Sequence, residues 1–414
     1  MLRIYLDNSA TTQPSPMVLK AMQEVNEKYW GNPSSIHSVG QEANSKLHEA
    51  REKVADFLNC DFQEVVFTGG GSESDNLAIR GLVSAITDNQ NTITQKTLDS
   101  KLQTPNVLPH LITSQAEHYA VLHTVQELEK EGKIEATYLN PDSDGTIEPN
   151  AIKEAIKKNT VLVTLMYVNN ETGVKNPIAE IGKIIKAENQ ERKSDNSKIY
   201  FHTDAVQAAE WEDMDVESLG VDLLTLTGHK IHGPKGVGVL YVRKGMPIEA
   251  QITGGGQEFK KRAGTENVAG IVGLAEAIAE LKAKSEKRKE VEILRDKLVE
   301  SIIKEIPDAI LNGSKTMRAP HIANISFVNA EGEAIILNLD FLGIAVSSGS
   351  ACTSKSLAPS HVLTAMGIPP EKAHGSIRFS LSRDTTEEEI DKVIEVLPPI
   401  IKKLREMSPF RNNQ

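Results

Sequence analysis

Cysteine is scarce in this chain, and that scarcity removes two classes of architecture from consideration. The sequence has 2 cysteines in 414 residues, too few for a disulfide framework. Neither Cys60 nor Cys352 has a second cysteine nearby at the spacing of a metal site. We therefore expect neither a disulfide-bonded scaffold nor a stable cysteine-based metal centre.

Long apolar runs and an excess of basic residues are missing as well. No run approaches the roughly 18 apolar residues of a membrane span, and the N-terminus turns polar at Asp7, too early for a signal peptide. We expect a cytoplasmic protein that makes no membrane contact. The net charge of -11 argues against direct nucleic-acid binding, because phosphate binding needs a basic surface.

What remains is an ordinary globular composition, with 39% hydrophobic and 25% charged residues. Short apolar runs alternate with helical stretches, a pattern typical of a mostly parallel sheet flanked by helices. The runs lie at 65–67, 110–113, 161–166, 199–201 and 223–226. Helices are predicted after Ser15-Pro16 and over about 41–58. The sequence therefore predicts an α/β fold.

The pattern changes after a long helical region that runs from about 266 to 305. Strands are predicted at 323–327 and 377–381, followed by a helix from about 386 to 404. We therefore predict a large domain over 16–265 and a smaller α+β domain made of 1–15 and 266–414. Two polar stretches, 87–106 and 188–198, lack an apolar period and are predicted to be exposed surface loops.

A glycine-rich segment follows the predicted strand at 65–67. Gly69, Gly70 and Gly71 precede Ser72 and Asp75, a Ser-x-x-Asp pattern that predicts a capping box at the start of a helix. Glycines let the backbone approach an anion, and a helix N-terminus favours negative charge. The segment is a candidate phosphate site, although a tight turn without a ligand explains the glycines nearly as well.

Two later strands end in residues of opposite charge. One predicted strand ends at Asp204, and the next is followed by Thr227, His229 and Lys230. If the strands are parallel, both charges emerge at the same edge of the sheet. Pyridoxal phosphate needs this pair, a lysine for covalent attachment and an acid that keeps the pyridine nitrogen protonated. We predict that Thr227 and His229 bind the phosphate together with Gly71 and Ser72.

Cys352 lies in a run of small and hydroxylated residues, Ser347 to Ser356, that offers a packed core little to bury. A thiol in such a segment is exposed, and exposure together with local charge governs thiolate reactivity. Cys60 is predicted to be merely structural. The histidines at positions 37, 123, 321 and 361 show no metal-site spacing.

Taken together, these motifs resemble the cysteine desulfurases of the nitrogen-fixation and iron-sulfur-cluster type. That group belongs to the class V aminotransferases among the fold-type I pyridoxal phosphate enzymes. The resemblance runs from about residue 4 to 404 and rests on the segments 5–12, 117–118, 169–173, 202–207, 228–230, 262–267 and 347–352. It implies a seven-stranded, mostly parallel sheet in the large domain.

The resemblance also implies roles for individual residues, each at the position that matches the family motif. Lys230 matches the cofactor-binding lysine, Asp204 the partner of the ring nitrogen, and His118 the imidazole that stacks on the ring. Cys352 matches the persulfide-forming nucleophile and a transient iron-sulfur ligand. The remaining matches are Gln207 for the ring hydroxyl, Asn170 for cofactor and substrate, Arg378 for the substrate carboxylate, and Thr265 for the phosphate of the neighbouring subunit.

The function implied is conversion of L-cysteine to L-alanine by a homodimer, with delivery of sulfur to an acceptor or iron-sulfur scaffold protein. Two alternatives stay open at this point. A selenocysteine lyase or another class V aminotransferase would keep Lys230 and Asp204 but use Cys352 differently. A non-catalytic docking platform would not need Lys230. The sequence does not identify the acceptor or the pathway.

Overall fold

The computed structural model describes residues 3–96, 107–192, 198–283, 286–349 and 359–407. The strands in these ranges are β1 (Ile4–Tyr5), β2 (Val65–Thr68), β3 (His110–Ser114), β4 (Glu135–Leu139), β5 (Thr160–Thr164), β6 (Tyr200–Asp204), β7 (Leu223–Thr227), β8 (Gly238–Val242), β9 (Ala309–Leu311), β10 (Ile322–Phe327), β11 (Ile344–Ala345) and β12 (Ser376–Ser380). The helices are α1 (Pro16–Lys28), α2 (Ser38–Leu58), α3 (Gly71–Lys96), α4 (Tyr119–Lys130), α5 (Pro149–Ala155), α6 (Ile178–Glu191), α7 (Val216–Leu219), α8 (Val268–Ala283), α9 (Lys287–Glu305), α10 (Gly332–Phe341), α11 (His361–Ala365), α12 (Pro370–Ala373) and α13 (Glu387–Met407).

The largest sheet has seven strands in the order β2-β8-β7-β6-β5-β3-β4. From β7 to β4 all neighbours are parallel, whereas β8 runs antiparallel to both β2 and β7. Every residue of β5 and β7 is buried, as expected for strands covered by helices on both faces. The predicted α/β fold with a mostly parallel seven-stranded sheet is confirmed.

A second hydrophobic cluster lies around two smaller sheets. One is the antiparallel sheet β12-β10-β9, and the other is the parallel pair β1-β11. Helices α9, α10 and α13 pack on them and share this cluster with the N-terminal residues Ile4 and Leu6. Helix α8 packs on α1 and α2 and joins the core of the large sheet. The predicted domain boundary at 265/266 stays a prediction.

Helix α1 begins as the sequence predicts. The hydroxyl of Ser15 accepts a hydrogen bond from Val18 N at 3.1 Å, and Pro16 occupies the first helical position. This arrangement satisfies one of the free N–H groups of the first turn, while proline has no N–H to satisfy. Within the described part of the chain, no helix is both long enough and apolar enough to cross a bilayer.

The predicted capping box at Ser72 is wrong. Helix α3 begins at Gly71, so that Ser72 already lies inside the first turn. The carboxylate of Glu73 accepts the hydrogen bond from Gly69 N at 2.8 Å instead. Asp75 is only 1% exposed and faces the sheet, because the helix is rotated to cover β6 and β7.

The two polar stretches are more helical than predicted. Helix α3 continues to Lys96 and α6 to Glu191, so part of each predicted loop is helix. Adding a residue to an existing helix costs much less than nucleating one, so polar residues extend a helix whose earlier turns are packed. Residues 97–106 and 193–197 lie outside the described residues.

A buried ion pair connects α2 to the edge of the large sheet. The Arg51 guanidinium donates to both carboxylate oxygens of Glu258 at 2.8 and 2.6 Å, and both residues are nearly inaccessible to solvent. Glu258 also accepts a hydrogen bond from Phe67 N at 2.8 Å, next to the end of β2. The pair therefore fixes the segment that leads to Thr265.

Replacing Arg51 by Met should lower the free energy of unfolding by about 3 kcal/mol, because Glu258 is left as an unpaired buried charge. Urea unfolding of the purified protein measures the effect. The exposed pair of Lys392 and Glu395, at 2.8 Å, provides the control. Lys392→Ala should cause no measurable change. Equal losses in the two variants would contradict the assignment.

Candidate active site

A cavity of about 340 Å³ opens where the central parallel strands of the large sheet end. Ten of the twelve residues for which the sequence predicts a site role line it. They are Gly71, Ser72, His118, Asn170, Asp204, Gln207, Thr227, His229, Lys230 and Arg378. The large sheet brings nine of them together because parallel strands have their carboxyl ends at one edge. Arg378 reaches the cavity from β12, in a smaller sheet.

Asp204 and Lys230 reach the cavity from adjacent strands. Asp204 is the last residue of β6, and Lys230 lies in a short 3-10 turn directly after β7. Val206 N donates to the Asp204 carboxylate at 2.9 Å. The Lys230 ammonium donates to the carbonyl of Ala10 at 2.9 Å and also to that of Ser9. The predicted geometry of the two charges is thus present.

The floor of the cavity is rich in buried acids. Burial raises the pKa of Asp204, and the nearby His118 and Lys230 oppose this shift. Burial, followed by the charge of Asp204, raises the pKa of Asp75 well above its ordinary value. Glu117 lies behind the cavity lining, directly before His118, and burial likewise raises its pKa well above the ordinary value. A cationic group bound beside Asp204 would relieve this cost, since an opposite charge favours ionisation.

His118 is held in a defined protonation state by its position before α4. Its Nδ1 accepts a hydrogen bond from Ala120 N at 3.1 Å, as an N-cap. The neutral imidazole therefore carries its proton on Nε2. Burial lowers the pKa of His118, which keeps the ring neutral near pH 7.

The opposite end of the cavity suits an anion. Gly71 and Ser72 begin α3, whose first N–H groups and dipole favour negative charge. A Cβ on Gly71 would meet Val206 Cγ2 at 3.0 Å, so glycine keeps this corner open. Thr227 and His229 line the same cavity from the end of β7. Burial lowers the pKa of His229 to about 4, so in the empty cavity its ring is neutral near pH 7.

Arg378 on β12 is buried and already has protein partners. Its Nη1 donates to the carbonyl of Asn170 at 2.8 Å, and its Nη2 donates to Asp7 at 2.8 Å. Its Nε and the side-chain oxygen of Asn170 are buried without a hydrogen-bond partner. Unpaired buried polar atoms are costly, so these two point to a ligand that would bind both.

The N-terminal segment from Asp7 to Ala10 was missed as part of the site. Besides the contacts of Asp7 and Lys230, the carbonyl of Ser9 accepts a hydrogen bond from Gln207 at 2.9 Å. The segment therefore contacts three of the predicted site residues at once. The segment belongs to the motif at 5–12, which could have indicated its place in the site. Its contacts are made by backbone carbonyl oxygens, however, and any residue type has these.

Other lining residues were also missed, among them Asp75, Tyr119, Glu171 and His361. The ring of His361 stacks on Tyr119 at 4.3 Å, and its Nε2 donates to the carbonyl of Glu117 at 2.9 Å. Glu171 lies within a segment quoted for the resemblance, whereas His361 comes from a region without a signal in residue spacing.

One predicted site residue among those described does not line the cavity. Thr265 is exposed on the surface of its own chain. Cys352 lies outside the described residues. Its predicted role as a transient iron-sulfur cluster ligand therefore stays a prediction. The described residues on either side of Cys352 are near the cavity: Gly349 lines it, and the Ser360 hydroxyl donates to Glu171.

Among the described residues, one group of histidine and aspartate side chains has the residue types and spacing of a metal site. Ligand atoms of Asp75, His118 and Asp204 lie within 4.8 Å of one another. This group coincides with the floor of the cavity, where Asp204 is predicted to meet the cofactor ring. It therefore offers no separate metal centre.

Comparison with known proteins agrees with this geometry. The family model for class-V aminotransferases matches residues 4–393. The chain is 46% identical to the cysteine desulfurase IscS of Clostridium botulinum strain Hall over 99% of its own length and 96% of that protein. The chain belongs to the cysteine desulfurases of the class-V aminotransferase family. The resemblance stated from the motifs is confirmed.

Solved structures of class-V relatives have the same fold. A NifS-like protein matches with a TM-score of 0.82 and 34% identity, covering 98% of this chain and 99% of the relative. The structure described as SspA in complex with cysteine matches with a TM-score of 0.75 and 34% identity, covering 92% and 100%.

The cofactor of this family is pyridoxal phosphate, and the residues of the cavity fit it. Asp204 would hold the ring nitrogen, Lys230 would attach the cofactor, and the start of α3 would bind the phosphate. The unpartnered oxygen of Asn170 adds an acceptor beside them. Asp204 and Lys230 are the two charged residues that the predicted cofactor requires, and both line the cavity.

Replacing Asp204 by Asn should weaken pyridoxal phosphate binding about thirtyfold, because a hydrogen bond to a charged group contributes about 2 kcal/mol. Titration of the apoprotein, followed by cofactor absorbance, measures the affinity. Asp222 precedes β7 at the opposite edge of the same sheet and accepts a hydrogen bond from Phe201 N at 3.0 Å. Asp222→Asn should leave the affinity unchanged. An unchanged affinity in Asp204→Asn would reject the assignment.

Proposed function

We propose that this chain is a pyridoxal-phosphate-dependent cysteine desulfurase that converts L-cysteine to L-alanine and retains the sulfur as a persulfide on Cys352. The observation that carries the proposal is the single cavity shared by Asp204, Lys230 and Arg378. Its charges suit a cofactor ring, a covalent attachment and an amino-acid carboxylate. The names of the relatives, and the cysteine complex of SspA, support the same substrate.

Substrate binding falls to Arg378 and Asn170. A guanidinium has five N–H donors, and Asn170 and Asp7 use two of those of Arg378, which leaves three for a ligand. A carboxylate matches the planar arrangement of such donors. The free side-chain oxygen of Asn170 adds an acceptor for the ammonium of the substrate.

Proton transfer falls to Lys230 and His118. Bound pyridoxal phosphate supplies an electron sink that stabilises negative charge on the substrate Cα. In its neutral form the Lys230 amine can take the Cα proton, and the carbonyls of Ser9 and Ala10 then stabilise the resulting ammonium. His118 carries its proton on Nε2, since its Nδ1 is an acceptor, and this is the proton that it can transfer.

Sulfur transfer falls to Cys352. Its thiolate would attack the substrate Sγ, so that an S–S bond forms while the Cβ–Sγ bond breaks and its electron pair stays with the carbon. Protonation of that carbon, together with return of a proton from the Lys230 ammonium to Cα, gives alanine. Dividing the transfer into capture and delivery is the advantage of covalent catalysis. The proximity of Gly349 and Ser360 to the cavity supports this role.

The wider context is also part of the proposal. Thr265 is exposed and outside its own cavity, which fits a contribution to the phosphate site of a second subunit in a homodimer. The persulfide would pass to an acceptor or scaffold protein for iron-sulfur cluster assembly or thiolation. A cytoplasmic location stays a prediction.

Replacing Cys352 by Ala should abolish alanine formation from cysteine while the protein still binds its cofactor and remains yellow. Cys60→Ala is the matched control and should retain full turnover, because burial raises the pKa of Cys60 to about 12 and suppresses its thiolate. Alanine, sulfide and keto acid are quantified together. Unchanged turnover in Cys352→Ala, or keto acid as the main product, would favour another class V reaction.

The activity should fall on acidification only below the ordinary histidine pKa of about 6.5, because burial lowers the pKa of His118 and the neutral ring is the functional form. Replacing His118 by Gln should lower kcat about a hundredfold or more. The pH profile of kcat in both proteins tests this. An acid limb above pH 7 that survives in His118→Gln would assign the limb to another group.

A further inference from the structure

Asp7 has a contact that none of the assigned roles explains. It forms the ion pair with Arg378 at 2.8 Å, and Arg378 is only 2% exposed. A buried guanidinium needs such a partner, because its desolvation is otherwise uncompensated. Asp7 therefore decides how the guanidinium is oriented before any substrate arrives.

The backbone around Asp7 is fixed to the strand that carries Arg378. Asp7 forms an isolated parallel bridge with Ser380, two residues beyond Arg378 on β12. Ser380 N donates to the carbonyl of Leu6 at 2.8 Å, and the side chain of Asn8 donates to the carbonyl of Ser380 at 2.9 Å. The backbone of Asp7 and that of Arg378 thus belong to one unit, so the Asp7 carboxylate is held within reach of the guanidinium.

The two existing contacts of Arg378 restrain its plane from two sides. Asn170 accepts from Nη1 and Asp7 accepts from Nη2, while Nε is buried without a partner. A planar group held by two of its three nitrogens has little rotational freedom left. Its remaining donors then point in fixed directions, which is the condition for bidentate recognition of a carboxylate.

We propose that Asp7 is a positioning residue, which stays paired with Arg378 and orients it for the carboxylate of an α-amino acid substrate. This inference rests on the proposed function, because it takes Arg378 as the carboxylate-binding group. Asp7 acts through Arg378 and does not contact the reacting atoms. A competing role, in which Asp7 blocks Arg378 until substrate displaces it, predicts the opposite effect on binding.

The test is equilibrium binding of L-alanine to the cofactor-loaded protein, followed by the change in cofactor absorbance. Asp7→Ala should raise the Kd for alanine about tenfold, since the guanidinium loses one of the two contacts that orient it. Asp7→Glu keeps the charge and the ion pair but shifts the guanidinium by one methylene. It should raise the Kd about threefold, and it replaces Asp7→Ala if that variant does not fold.

A double-mutant cycle separates positioning from a general structural effect. Lysine at position 378 keeps a cation but has no planar group to orient. In the Arg378→Lys background, Asp7→Ala should therefore change the Kd less than twofold. Persistence of the full tenfold effect there, or tighter alanine binding in Asp7→Ala alone, would overturn the proposal. Failure of the wild-type protein to bind alanine would count against the proposed function itself.

Discussion

Parallel pairing between β6 and β7 is the constraint on which the site depends. It places the last residue of one strand, Asp204, beside the turn that carries Lys230. Asp204 and Lys230 are not neighbours in the sequence, so a shift in the register of β6 against β7 would separate them. The remaining side chains of the cavity complete a geometry that this one pairing establishes.

Burial gives the cavity its chemical character. The acids Asp75, Glu117 and Asp204 would be ordinary carboxylates on a surface, but a dry environment raises the pKa of each of them. Two carboxylates that are close together in such a place cannot both ionise cheaply. Asp204 is the one that faces His118 and Lys230, so the negative charge of the floor concentrates where a cationic ring nitrogen would be stabilised.

Much of the fold and most of the site were predictable, because the decisive signals are local. Buried strands show as apolar runs, and Asp204 and Lys230 stand directly at their ends. In the large sheet, strands β4 and β8 were missed: β4 is only partly buried, and β8 follows the Lys230 turn closely without an intervening helix. The short strands β1, β9 and β11 of the smaller sheets were missed as well. The capping box at Ser72 failed because residue type alone does not show which side of a helix faces the sheet.

Contacts between distant segments were the least predictable. The carbonyls of Ser9 and Ala10 contact Lys230 through the backbone, and any residue type could supply them. The partnership of Asp7 with Arg378 joins positions that are 371 residues apart. Such pairings become visible only when the smaller sheets are placed against the large one.

The hydrogen bond between Asn8 and Ser380 spans 372 residues of sequence. The segment around Asn8 is therefore synthesised long before β12, the strand that fixes it. The large sheet can therefore fold during synthesis, while the corner of the site around Arg378 has to wait until β12 has been made. A chain truncated before β12 would have most of its core and no finished catalytic pocket.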